Sequence, residues 1–338
     1  MTIETMTFSH AGISPAIRKA LTGFLACLGL GLALLCTGSK PAQATPTAFG
    51  INLAWQDYGG DFGADPKYPG FGPTYDGTKM QGYLNDIRSR HMNIVRVWLF
   101  EDQSGLSFSG NYCTGVSAAA LSNIKDFVTR ANNNGITAYV MLFNNNIPAG
   151  YITGDNGTSL VNNVIVPLAK ALNGKRVVYD LMNECDYGAP SIGWGKLRNF
   201  FYNAANAIHG ITSYDWVTAS DDHSDDFNSN FYGTVGGLGF NFYDYHQYSN
   251  VNTPLRVTPA AVHNAPLYLG EFGPTGGWNN YSDADDQKTV DYFAAEANSK
   301  GYSGMLAWSY IGDSNYMLQN KNTLAVLSYY GNLWGINP

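Results

Sequence analysis

Eight short runs of almost unbroken apolar character recur along the chain: GINLAW at 50–55, NIVRVWLF at 93–100, TAYVMLFN at 137–144, VVYDLMNE at 177–184, DWVTAS at 215–220, GFNFYDYHQY at 239–248, PLYLGEFG at 266–273 and GMLAWSY at 304–310. They do not alternate polar with apolar, as a strand with one wet face would. Continuous hydrophobicity predicts strands covered on both sides. Helical patterns lie between several of them. From Ser117 to Asn134 the residues Leu121, Ile124, Phe127, Val128 and Ala131 share one face, and Gly135 is placed to take a left-handed cap. Ser282 is a candidate N-cap for a second helix whose first turn carries Asp283, Asp285 and Asp286 near the positive dipole end. Val290, Phe293 and Ala297 form its buried stripe, and Gly301 ends it. No helix can be placed after the fifth and sixth strands.

Eight strands alternating with helices over about 290 residues predict a single-domain (β/α)8 TIM barrel, of α/β class, rather than an open doubly wound sheet. The open sheet would want a glycine-rich phosphate turn after its first strand. Here WQDYGGDFGADPKYPGFG follows instead and reads as a long loop without a helix opening behind it. Such a barrel carries its chemistry at the carboxyl ends of its strands.

The chain has 338 residues and a formal charge of −7. Residues 1–44 read as a secretory signal: Arg18 and Lys19 precede an apolar run from Leu21 to Leu35, and Ala42-Gln43-Ala44 offers small residues for cleavage. The run is about 15 residues, short of the roughly 20 of a spanning helix, so cleavage is expected over anchoring, with no stable membrane insertion afterwards. The mature barrel, 45–338, then carries 16 basic against 25 acidic residues, a net −9. Nucleic acid is thereby disfavoured as a partner, and secretion or a periplasmic location is expected. Cys113 and Cys185 remain after maturation. They leave one disulfide open as a possibility and make zinc improbable.

The strand ends carry Trp55, Arg96 with Trp98, Asn144, Asn183 with Glu184, His246 with Tyr248, Glu271, and Trp308. A carboxylate ending an apolar strand is costly unless solvated or paired. Either glutamate alone reads equally well as a structural carboxylate paired with Arg96. On strands four and seven of one barrel, however, both project into the same mouth. Paired carboxylates are what glycosidic hydrolysis needs: one protonates the leaving oxygen while the other faces the anomeric carbon.

At these motifs the chain resembles the clan A glycoside hydrolases, particularly family 5, the cellulase and mannanase family. The likeness rests on VVYDLMNE, LYLGEFG, NIVRVWLF, YHQY and MLAWSY, and spans nearly all of the mature sequence. It implies a retaining enzyme acting on a β-linked glucan or mannan, with Glu184 as acid/base and Glu271 as nucleophile. Arg96 and the Tyr248 hydroxyl are expected to stabilise an ionised Glu271, and a drier Glu184 to hold its proton. Asn183 is expected to bind the sugar 2-hydroxyl and Trp308 to floor the central subsite. His246 either orients Tyr248, touches sugar, or is a satisfied rim histidine. Two positions depart from the family: Asn144 stands where a histidine is common and is expected to take over its subsite role, and Cys185 replaces the proline after Asn-Glu.

Other readings stay open on residues alone. A transglycosylase on the same site, or a barrel that binds carbohydrate without catalysis, is compatible with the motifs. The loop ASDDHSDDF, with Asp221, Asp222, His223, Asp225 and Asp226, could hold a divalent ion but lacks a calcium-loop spacing, so no metal ligand is assigned. No organic cofactor motif is visible. Rim aromatics Trp55, Tyr58, Trp98, Trp194 and Trp278 favour a neutral oligo- or polysaccharide. Tyr68, Phe71 and Tyr75 of the first loop either close one end of a cleft or pack as an ordinary loop. Oligomeric state is not written in the sequence.

Overall fold

The computed structural model describes residues 45–56, 60–64, 73–222 and 237–338. The signal segment, Tyr58, Tyr68, Phe71, and His223, Asp225 and Asp226 of the acidic loop lie outside the described residues. All eight apolar runs form strands: β1 (Ala48–Asn52), β2 (Ile94–Trp98), β5 (Thr137–Phe143), β6 (Val177–Met182), β7 (Trp216–Thr218) with β8 (Ser220–Asp221), β9 (Tyr243–Tyr248), β10 (Leu267–Gly273) and β11 (Gly304–Ala307). A separate antiparallel hairpin, β3 (Leu106–Ser109) with β4 (Tyr112–Val116), leaves the barrel after β2 and was not expected.

Every pairing in the main sheet is parallel, in the order β7-β6-β5-β2-β1-β11-β10-β9-β8. The sheet closes because β7 and β8 are two halves of one short strand. Trp216–Thr218 pairs with β6 and, past Ala219, Ser220–Asp221 pairs with β9. The result is the expected (β/α)8 barrel. Strands β1, β2, β6 and β10 are buried along their whole length, which is the physical meaning of their unbroken apolar runs.

The helices cover that sheet. Helix α1 (Gly77–Ser89) starts where the side chain of Asp76 accepts from the amides of Thr78 and Lys79, so a helix does open behind the long first loop. A single cap at the end of a Gly-rich stretch gave too little periodicity to see in advance. Helix α2 (Ala118–Asn133) is capped by Ser117, and α6 (Asp283–Lys300) by Ser282 and by Gly301 in the left-handed conformation, as their residues predict. Between them come α3 (Val166–Leu172), α4 (Cys185–Ile192) and α5 (Trp194–His209); α7 (Thr323–Leu333) closes the chain. After β9 the described connection holds only a short 3-10 turn, Pro259–Val262. Cys113 and Cys185 are both buried and free, so the open question of a bridge resolves to two thiols.

One irregularity positions the site. Leu269 pairs with Tyr245 and Glu271 with His246, so β10 carries one more residue than β9 across that step. The same extra residue shifts β10 against β11. The bulge falls on Gly270, where a Cβ would lie 1.9 Å from Asp244 Oδ1. Only glycine lets the buried Asp244 carboxylate come so close, and the bulge turns the next residue, Glu271, toward the mouth.

Candidate active site

Glu184 and Glu271 meet at the carboxyl ends of β6 and β10. A carboxylate oxygen of each, together with a ring nitrogen of His246, forms a group whose atoms all lie within 4.8 Å of one another. A pocket of about 270 Å³ opens over them, and Asn183, Tyr248 and Trp308 also line it.

The surroundings of the two carboxylates differ. Glu271 accepts from Arg96 Nη1 at 2.5 Å and from the Tyr248 hydroxyl at 2.5 Å, one donor on each oxygen. Glu184 makes one described side-chain hydrogen bond, from His246 Nδ1 at 3.0 Å. Burial raises its carboxyl above the ordinary range, and the bond and charge of His246 oppose that rise. Glu184 is nevertheless not the drier of the two: its side chain is 20% exposed, against 4% for Glu271. What separates the two is the number of cationic and hydroxyl donors, not relative dryness. That corrects the expectation from sequence.

Glu184 also sits in the left-handed backbone region, at φ 41° and ψ 54°. A non-glycine residue there costs on the order of 1–3 kcal/mol and persists only where its neighbours over-determine it. Here the Ser220 hydroxyl accepts from the Glu184 amide at 3.1 Å, and the amide of the preceding Asn183 bonds to the carbonyl of Phe143 at 2.9 Å.

Arg96 is completely buried and ties its own strand, β2, to three others, β1, β6 and β10. Its guanidinium reaches Asp180 at 2.7 Å, Asn183 Oδ1 at 2.7 Å and Asn52 Oδ1 at 3.0 Å in addition to Glu271. Desolvation works against its charge, but Asp180 and Glu271 outweigh that and hold it firmly protonated. His246 is likewise fully buried. Burial alone would discharge the imidazole, yet Glu271, the bond to Glu184 and Asp244 push its pKa up to about 9. It therefore bridges the carboxylates as a cation, with Nδ1 3.6 Å from Glu271 as well. It does not reach the Tyr248 hydroxyl in any described bond.

Other expected residues fall into a second rank. Asn144 lies behind Asn183, accepting from its amide at 3.3 Å and donating to Glu101 at 3.0 Å. Trp55 packs edge-on against Trp98 and Trp308 at 4.9 and 5.8 Å between ring centroids. Of the rim aromatics, Trp98 lines the pocket, Trp194 is half-buried at the start of α5, and Trp278 is wholly buried, donating from its indole to the Trp308 carbonyl. Trp278 supports the floor of the pocket from below, and so is not a rim residue. Tyr75 packs against Phe62 and donates to Asp126 at 2.7 Å.

Sequence reasoning missed Asp313 and Tyr316, which line the pocket from the connection after β11. Asp313 accepts from the Trp308 indole at 3.3 Å, and Tyr316 meets Tyr248 edge-on at 5.2 Å. It also missed the buried frame of Asn52, Asp180, Ser220 and Asp244. A signal for it existed: Asp180 and Asp244 interrupt apolar strands just as Arg96 does, and buried charges of opposite sign are expected to pair.

The Glu184–His246–Glu271 group has a spacing that a metal ion could bridge, but a cation there would sit beside the Arg96 guanidinium that already bonds Glu271. The arrangement suits proton transfer and carboxylate attack better.

Comparison with known proteins agrees with the class that this fold and site define. No family model matches the sequence. The chain is 24% identical to a mannan endo-1,4-beta-mannosidase of Cryptopygus antarcticus, over 77% of this chain and 79% of that protein. Its fold is similar to that of a beta-mannanase from the blue mussel Mytilus edulis, with a TM-score of 0.63 and 21% identity over 85% of this chain and 92% of that one. It is also similar to an endo-beta-1,4-glucanase from Xanthomonas axonopodis pv. citri, with a TM-score of 0.58 and 17% identity over 85% and 99% of the two chains. The resemblance to clan A glycoside hydrolases of family 5, first carried by short motifs, thus extends over most of the barrel.

Proposed function

We propose that the protein is a retaining β-glycoside hydrolase that cleaves the O-glycosyl bonds of a β-linked mannan or glucan. The observation that carries this reading is the pair of carboxylates within 4.8 Å, one held by two strong donors and the other by a single histidine. Carboxyl groups about 5–5.5 Å apart suit double displacement, whereas inversion needs about 6.5–9.5 Å to admit a water.

In the first step Glu271 attacks the anomeric carbon as Glu184 protonates the departing oxygen, giving a glycosyl ester on Glu271. In the second, Glu184 takes a proton from water, whose oxygen attacks the same carbon and releases Glu271. Arg96 and Tyr248 align the nucleophile through one hydrogen bond on each of its oxygens. Charged His246 restrains Glu184 between the two steps and accepts no role as leaving-group donor, because it is buried. Asn183, held by Arg96 through Oδ1 and donating one amide hydrogen to Asn144, keeps its second amide hydrogen for the 2-hydroxyl of the sugar, where hydrogen bonding strengthens in the oxocarbenium-like transition state. Trp308 offers an indole face to the C–H surface of the pyranose.

Mannan is the first substrate to test, since mannanases stand among both the sequence relatives and the structural neighbours. Purified protein incubated with β-mannan and with β-glucan, and followed by proton NMR, reports substrate and stereochemistry together. The β-anomer should form first and mutarotate later; first formation of the α-anomer would remove the double-displacement reading. Sugar products longer than any supplied acceptor would shift the reading to transglycosylation on the same carboxylates. Export belongs to the same proposal: the N-terminus of protein recovered outside the cytoplasm should read Thr45, and an intact Met1 there would contradict cleavage.

A further inference from the structure

Asp313 places a third carboxylate on the wall of the pocket that holds Glu184 and Glu271. It is half-buried, and its own bonds leave acceptor capacity to spare. Oδ1 accepts from the Asn315 amide at 3.0 Å, and Oδ2 accepts from the Trp308 indole at 3.3 Å, past the usual range for an N–H donor. A carboxylate offers about four acceptor positions, so both oxygens can take a further donor. The cations of the site are engaged elsewhere: Arg96 bonds Asp180 and Glu271, and His246 bonds Glu184.

The turn that carries Asp313 is fixed before any substrate arrives. The Trp55 indole donates to the Gly312 carbonyl at 3.1 Å. Gly312 holds φ at 105°, and a Cβ there would lie 2.8 Å from the Trp55 carbonyl oxygen, so the chain turns toward the pocket only because this residue is glycine. Asn279 secures the far side, with its backbone amide donating to the Asn315 carbonyl at 3.0 Å and its side chain to the Ser314 carbonyl. Little ordering is left to be done on binding. The strand order also says which part of a substrate Asp313 meets. Strand β11 lies opposite β6, reached through β1, β2 and β5 one way and through β10, β9 and β8–β7 the other. Glu184 follows β6 and protonates the departing oxygen, so the leaving chain runs out on its side. Asp313, in the connection after β11, borders the sugars that stay with Glu271, the glycone.

We propose that Asp313 is a substrate-binding residue that accepts hydrogen bonds from hydroxyls of the glycone and restricts that side of the site to uncharged sugars. A pyranose lying on the Trp308 face carries its hydroxyls around its edge, and Asp313 stands at the edge of that indole, joined to its N–H. Two acceptor oxygens suit neighbouring hydroxyls, and hydrogen bonds to an ionised acceptor are the stronger kind. A uronate in place of a primary alcohol would set a second negative charge against Asp313, with no cation left unengaged at the site to offset it. The inference rests on the glycosidase reading above and adds to it a residue that decides which polysaccharides are accepted.

Nitrophenyl β-biosides of mannose and of glucose test this, because both sugars occupy the glycone side and only the phenol lies toward Glu184. Each is compared, in the parent and in Asp313→Asn, with the same bioside oxidised at its primary alcohols to uronates. Asparagine keeps the length and an oxygen for the Asn315 amide, so the melting temperature should match that of the parent. Affinity for the neutral bioside, read by isothermal titration, should fall about tenfold to a hundredfold, the loss expected for hydrogen bonds to a charged acceptor. Affinity for the oxidised bioside should instead rise about tenfold or more as the opposing charge is removed. Neutral-bioside affinity within twofold of the parent, or an equal loss for both biosides, overturns the inference; the second result would leave Asp313 only the task of holding Trp308. Hydrolysis of β-mannan and β-glucan by the parent is followed alongside. If the parent hydrolyses either glycan while Asp313→Asn binds both biosides as the parent does, this inference alone fails; if it hydrolyses neither, the glycosidase reading fails and takes this inference with it.

Discussion

Replacing Glu184 with Gln tests the assigned proton donor with little structural disturbance. Gln has the same length, and its amide oxygen can still accept from His246 Nδ1, which bonds the wild-type side chain at 3.0 Å. The left-handed backbone and its Ser220 contact do not depend on the carboxylate. What is lost is the proton. Positioned general acid catalysis contributes about 10²–10⁴-fold, or roughly 3–5 kcal/mol of barrier at 1.36 kcal/mol per decade. On polysaccharide, where the leaving group is a poorly acidic sugar hydroxyl, kcat/KM should fall by that factor. An aryl glycoside with an acidic phenol leaves without protonation, so its first step should be almost unimpaired. The second step still lacks its base, and a burst of phenol should precede a slow steady state. Stopped-flow absorbance reads both phases. Polysaccharide hydrolysis within tenfold of wild type would refute the assignment of Glu184, and an equal loss on both substrates without a burst would show that the change had damaged the site rather than removed a proton.

Further expectations follow from the same geometry. His246→Gln removes a cation whose bond and charge oppose the burial-driven rise of the Glu184 pKa; their loss should move the alkaline limb of the kcat/KM profile to higher pH, and an unchanged limb would separate His246 from the acid/base. Arg96→Met leaves Asp180 and Glu271 buried without their shared cation, so thermal unfolding should show a loss of about 3–5 kcal/mol, and a variant as stable as the parent would mean the carboxylates are paired elsewhere. Activity should survive prolonged treatment with a chelator, because proton transfer and carboxylate attack use only side chains of the chain itself; loss that added calcium restores would favour an ion in the acidic group instead.

The barrel was legible because strands buried on both faces must be apolar throughout, and eight such runs stood out between polar loops. The hairpin β3–β4 was hidden for the complementary reason: its residues alternate between half-buried and exposed in β3, and four short residues give too little pattern to read. The carboxylates were legible because glutamate ending a core strand demands an explanation. The approach of Arg96 and Tyr248 to Glu271 was expected from the family resemblance, but the relative exposure of the two glutamates was not, because it is set by packing from other strands, and the bulge at Gly270 that aims Glu271 depends on where Asp244 sits. Trp278 shows the limit of counting aromatics: composition marks indoles but cannot say whether one faces sugar or props another from behind. Asp313 and Tyr316 lie on an irregular connection with no periodicity to mark them.

The central claim is that Glu271 forms a covalent bond to sugar while Glu184 manages the proton. A 2-deoxy-2-fluoro mannoside or glucoside with an acidic leaving group slows breakdown of the ester by withdrawing electron density from the oxocarbenium-like transition state, so the intermediate should accumulate. Mass spectrometry of peptides from the inactivated protein should find one sugar on the peptide that contains Glu271, and none in a Glu271→Gln variant. A label on Glu184 or elsewhere, or inactivation with no covalent sugar at all, would contradict the account.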